Sequence, residues 1–214
     1  MMREALVRFM VRRVQKPGIS RAAPPLPMSY RIYCYSSFGP SQIFCYTILE
    51  AQNMTGNNAV VLAPEIAVSR WFNTGEPLTL SALRGRPVLL HAFQMLCPGC
   101  VAHGTPQTQR AFELFKHSDL QVVGLHTVFE HHAAMTPVSL EAFIHEYRLS
   151  FPIGVDEAGE GTPIPVTMGR YGMQGTPTSI LIGRDGSIVH HGFGQQADMA
   201  LGAIIAAELA AVRR

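Results

Sequence analysis

The sequence predicts an α/β fold: a single domain with a central mixed β-sheet flanked by helices. Three observations carry this prediction. Short apolar, β-rich runs alternate with longer helical stretches from about residue 63 onward, two further runs flank a tight turn near the C-terminus, and an apolar helix closes the chain. At 214 residues and 47% hydrophobic content, the chain can bury a sizeable core.

Ala63-Pro64-Glu65 opens the ordered part. Residues 66–72 and 78–80 read as short strands around the turn Asn73-Thr74-Gly75-Glu76-Pro77. Residues 81–85 suit one helical turn closed by Gly85. The run 87–93 is a buried strand, and a helix follows it to about His117. Residues 120–125 are β-branched and too short a run for a helix, which suits a central strand. Ser139 is expected to cap a helix over 140–148, whose apolar side is Ala142, Phe143, Tyr147 and Leu149. Residues 151–155 form a short strand, 156–163 a loop, and 166–171 a brief helix. The runs 178–182 and 187–191 flank Arg184-Asp185-Gly186, a hairpin signal. Residues 197–211 make the last helix.

Residues 1–55 stand apart as an extension, disordered or non-native, ahead of a domain over 56–214. Six arginines and one lysine against two glutamates leave residues 1–53 at +5, whereas the rest, with ten basic and thirteen acidic residues, sits at −3. The domain is therefore mildly acidic, which argues against nucleic-acid binding. No apolar run reaches the ~18 residues of a membrane span; the longest, from Leu201, is broken by Glu208. The arginine-rich start is also compatible with an organelle presequence over residues 1–30. Cysteine usage points instead to the cytoplasm: four cysteines in this length make no disulfide scaffold, and two of them form a close pair. Cys34 and Cys45 read as passive cysteines rather than a second redox pair.

The chemistry concentrates at Cys97-Pro98-Gly99-Cys100, directly after the apolar run through Phe93. A strand that delivers two cysteines to the first turn of a helix brings their thiols within reach of each other. The helix start, with its free N–H groups and partial positive charge, favours a thiolate, the species that attacks disulfides.

A wider set of residues then matches a known family. The segment 78–90 before the site, the CxxC, Gly175-Thr176-Pro177-Thr178 and the Asp185-Gly186 hairpin occur in order, and the sequence resembles the thioredoxin superfamily in its redoxin branch. That branch holds thiol–disulfide oxidoreductases and alkyl hydroperoxide reductase-type peroxiredoxins, and the resemblance covers roughly residues 63–212. It implies a thioredoxin-like fold, no bound cofactor or metal, and a thiol or disulfide protein or small-molecule thiol as partner. It also implies that Cys97 is the nucleophile and Cys100 the resolving thiol. A cis bond between Thr176 and Pro177 would face the cysteines and leave the Thr176 backbone free to pair with substrate. His91, six residues before Cys97, stands where many thioredoxins carry a buried acid that shuttles a proton; a packed histidine is the plainer alternative. Leu96 replaces the tryptophan usual before the first cysteine, and Pro98-Gly99 reverses the familiar Gly-Pro order.

Three other readings compete. A peroxiredoxin-type peroxidase would use Cys100, but Phe93 and Cys97 stand where its motif carries Pro and Thr/Ser. Cys97, Cys100 and His103 form a C-x-x-C-x-x-H that offers three zinc ligands but no second pair, while Val101 after the second cysteine excludes a haem-attachment motif. His126, His131 and His132 are expected on an exposed strand end and loop. A non-catalytic interaction module is the last alternative, and the retained cysteine pair argues against it.

Overall fold

A strand that is apolar along its whole length belongs inside a sheet. In the computed structural model of the chain, which describes residues 31–35, 44–48 and 61–211, β4 (Val88–Phe93) is buried at all six positions. The other strands are β1 (Arg31–Tyr35), β2 (Phe44–Ile48), β3 (Val68–Phe72), β5 (Gln121–His126), β6 (Ile153–Asp156), β7 (Thr178–Ile182) and β8 (Ile188–Phe193). The helices are α1 (Thr105–Phe115), α2 (Pro137–Glu146), α3 (Val166–Arg170) and α4 (Asp198–Ala210), with a π-helical turn at Cys100–Gly104 leading into α1.

The chain divides into two units, Met1–Asn57 and Asn58–Arg214. In the first, β1 and β2 pair antiparallel with Cys34 and Cys45 directly opposite in register. The presequence reading of residues 1–30 lies outside the described residues, as does the extension reading of residues 1–55 except at β1 and β2.

The second unit is built on one mixed sheet in the order β3-β6-β5-β4-β7-β8. β4 runs parallel to β5 and antiparallel to β7, and β5 runs parallel to β6. Leu89 and Phe93 on one face of β4 join a core with Ala111, Leu140, Ile144, Leu201 and Ile205, which come from α1, α2 and α4. Val88, Leu90 and Ala92 on the other face join Ile66, Leu80, Leu83, Met168, Tyr171 and Met173. Alternation along one strand thus serves two cores, so a polar side chain on β4, such as His91, is buried. The fold is thioredoxin-like, as the sequence implies, and no helix among the described residues is long and apolar enough to cross a membrane.

Several boundaries differ from expectation, each for a local reason. Residues 78–80 are not a strand. The Glu65 carboxylate accepts the N–H groups of Leu80 and Ser81 at 2.7 and 3.0 Å, so a side chain supplies what a neighbouring strand would have. Helix α2 starts earlier than a Ser139 cap allows: Thr136 is the cap, its hydroxyl accepting Ser139 N–H at 3.2 Å, with Pro137 at the first helical position. β3 begins at Val68, and its end is fixed by Asn73, whose side-chain amide donates to the carbonyls of Leu149 and Phe151. The hairpin between β7 and β8 turns at Gly186, whose φ of +83° suits glycine.

Candidate active site

The chain leaves β4 at Phe93 and reaches the cysteines through Gln94-Met95-Leu96. Cys97 N–H donates to Gln94 O at 3.1 Å and Val101 N–H to Cys97 O at 3.0 Å, so helical bonding begins at Cys97 itself. Both cysteines are free thiols, Cys97 half-buried and Cys100 completely buried. The Cys97 sulfur receives the Cys100 N–H at 3.3 Å, while its thiol donates to Thr176 O at 3.4 Å.

These surroundings split the two thiols. Burial works against the Cys97 thiolate, but hydrogen bonds from the Cys100 thiol and N–H, from Thr176 and from the Gly99 N–H outweigh it and lower its pKa. Burial, aided by the bond to Cys97, pushes Cys100 up to about 12. The outer sulfur is thus half-buried with its thiolate form favoured and the inner one held as a protonated thiol, with a hydrogen bond between them.

Thr176 and Pro177 reach this site from the start of β7. The Thr176–Pro177 bond is cis, and Pro177 packs closely against the cysteine helix: a Cβ on Gly99 would meet Pro177 Cδ at 3.3 Å. Gly104, in the π turn, is tighter still, since a Cβ there would lie 2.7 Å from Pro177 Cβ and 2.8 Å from His91 Cε1. Leu96, 55% exposed, stands on the rim beside Cys97.

His91 is fully buried, with Nε2 3.4 Å from the Thr105 hydroxyl, Nδ1 without a partner, and its ring stacked on Phe93. Burial lowers its pKa to about 3, so the ring is neutral near pH 7. His126 corrects the expectation of an exposed strand end. It is the last residue of β5, 1% exposed, beside Phe93, with a pKa that burial lowers to about 4. His131 and His132 are exposed in the loop that follows, as expected. His103 is exposed, and among the described residues no three His, Cys, Asp or Glu side chains are grouped to hold a metal ion.

Sequence reading passed over Gln94. Its side chain is buried, accepting Phe129 N–H and donating to the Glu130 carboxylate, both at 3.4 Å. Its place just after a fully buried strand and before the first cysteine was the available signal.

Comparison with known proteins places this geometry. The profile of the AhpC/TSA family matches residues 61–191. The thiol-disulfide oxidoreductase ResA of Bacillus thuringiensis (strain Al Hakam) is 26% identical over 122 residues, 57% of this chain; the chain spans 63% of that relative's length. The solved structure of a thioredoxin-like superfamily protein is 49% identical, with a TM-score of 0.70 over 72% of this chain and 99% of that one. A thiol-disulfide isomerase from Corynebacterium glutamicum is 45% identical, with a TM-score of 0.68 over the same shares.

Proposed function

The chain belongs to the AhpC/TSA family, in the redoxin branch of the thioredoxin superfamily, and from that premise we propose that it is a thiol–disulfide oxidoreductase acting through Cys97 and Cys100. The observation that carries the reading is the opposite shift of the two thiols within hydrogen-bond reach of each other. The names of its relatives, an oxidoreductase and an isomerase of thiols and disulfides, support the same class.

In the reducing direction, the Cys97 thiolate attacks one sulfur of a partner's disulfide. A Cys97–partner bond forms, the partner's own S–S bond breaks, and its second sulfur leaves as a thiolate that takes a proton from water. Cys100 then attacks Cys97 Sγ, and the proton it gives up passes to the partner sulfur that departs. The mixed disulfide breaks, a Cys97–Cys100 disulfide forms, and two electrons have passed to the partner, now a dithiol. Run backwards, the same steps oxidise a dithiol. The half-buried Thr176, already in contact with the Cys97 sulfur, is placed to pair with the segment flanking the partner's cysteine.

A peroxidase would need Cys100 as the reactive thiol, and a buried group with a pKa near 12 is the wrong one of the pair. The partners we propose are disulfide or dithiol proteins and small-molecule thiols. Cysteine usage supports action in the cytoplasm, where thiols stay reduced; recovery from an exported or organelle fraction of cells would contradict this.

The Cys100→Ser variant tests the mechanism, because it can attack through Cys97 but cannot resolve. It should accumulate a covalent complex that dithiothreitol releases, whereas Cys97→Ser should lose activity. Normal turnover by Cys97→Ser would remove the assignment.

A further inference from the structure

Resting on the resolving role proposed for Cys100, we infer that His126 is a positioning residue, which holds the peptide between Gln94 and Met95 by accepting the Met95 N–H. The bond runs from Met95 N to His126 Nε2 at 3.4 Å. The carbonyl of this same peptide, Gln94 O, accepts the Cys97 N–H at 3.1 Å. The N–H on the other side of Gln94 points at the Cys100 sulfur, where it favours the thiolate. One short segment therefore touches both cysteines, and His126 grips it from β5.

His126 is suited to the task. It ends a strand whose register sets it opposite Phe93, and the two rings pack 5.4 Å apart, so the imidazole has a fixed direction. Accepting at Nε2 requires the proton to sit on Nδ1, and Nδ1 has no partner in the protein. An orphaned buried donor has a cost, which is understandable where the opposite nitrogen is needed as an acceptor. The Gln94 side chain fastens the segment a second time through Phe129 and Glu130, so it is tied both to the end of β5 and to the loop that follows it. Without the imidazole, the Met95 N–H would stay buried and unpaired, and the segment would move to find a partner.

Two measurements on the full chain test this. In 15N-histidine-labelled reduced protein near neutral pH, His126 should show the Nδ1–H tautomer; an Nε2–H tautomer would overturn the inference whether or not any variant folds. In rapid-mixing assays with a peptide disulfide, His126→Leu should slow release of the mixed disulfide by roughly five- to tenfold, the size of one lost hydrogen bond. His126→Gln, whose side-chain oxygen can accept in place of Nε2, should recover most of that rate. Equal release by wild type and His126→Leu, or a Gln variant no faster than Leu, would overturn it. Failure of the wild-type chain to form any mixed disulfide would instead remove the oxidoreductase reading, leaving the tautomer to decide the role of His126.

Discussion

Two cysteines three positions apart have one chemistry and opposite environments. Cys97 lies where the chain has just left the strand, and the N–H groups of Gly99 and Cys100 and the Thr176 side chain gather round its sulfur; Cys100 lies one turn deeper, where burial dominates. That much was legible, because strand-to-helix placement already separates an outer sulfur from an inner one. The histidines were legible only in part. His91 was expected as a proton shuttle or a packed ring, and its geometry favours packing: its bond is to Thr105, its pKa falls to about 3, and a base that weak takes few protons at pH 7. His91→Asn should therefore leave the pH midpoint of disulfide exchange where it is in wild type. A displaced midpoint would restore the shuttle. His126 was misread because a strand's last residue looks exposed until the adjoining strand and helices cover it.

Elements were read well where a local pattern decides them and poorly where a distant side chain does. The buried strand β4, the helix after the cysteines and the β7–β8 hairpin all follow from runs and turn residues nearby. Residues 78–80 have the composition of a strand, but Glu65, fifteen positions away from Leu80, takes the N–H groups of Leu80 and Ser81. The π turn left no mark in the sequence. It opens where Thr105 N–H bonds to Cys100 O, and Gly104 lets Pro177 and His91 approach the helix closely. Gly104→Ala tests that packing, because two effects oppose. Alanine is the better helix former by about 1 kcal/mol, but its methyl group would overlap both neighbours, and such overpacking costs roughly 1–3 kcal/mol. Both contacts are to rigid rings, so the clash should win. Urea melts should show net destabilisation, and slower disulfide exchange should accompany it as Pro177 is pushed aside. A stabilised variant would mean the helix start is looser than described.

Over the whole molecule, the mixed sheet and the family followed from the sequence of motifs, because strands that alternate with helices and then close on a hairpin leave few arrangements. What could not be read was the number of ionisable groups the fold buries. His91 and His126 both have pKa values lowered below 6.5 by burial, to about 3 and about 4. A lowered histidine pKa means the unfolded chain binds protons the folded one refuses, so stability is complete above pH 6.5 and is lost as pH falls below it. Between pH 7 and 5 each group should cost about 2 kcal/mol. Chemical denaturation at the two pH values should show a loss of about 4 kcal/mol from the two together, and His91→Asn should lose about half as much. A flat pH response would mean the rings are charged and paired.

The account depends on the two thiols behaving as a reactive outer and an inert inner group. Alkylation of the fully reduced chain with iodoacetamide, followed residue by residue by mass spectrometry from pH 5 to 9, measures this directly. Cys97 should react first, with a midpoint below the ordinary thiol value of about 8.5, while Cys100 stays unmodified throughout. Prior modification of Cys100, or equal and slow modification of both, would contradict it.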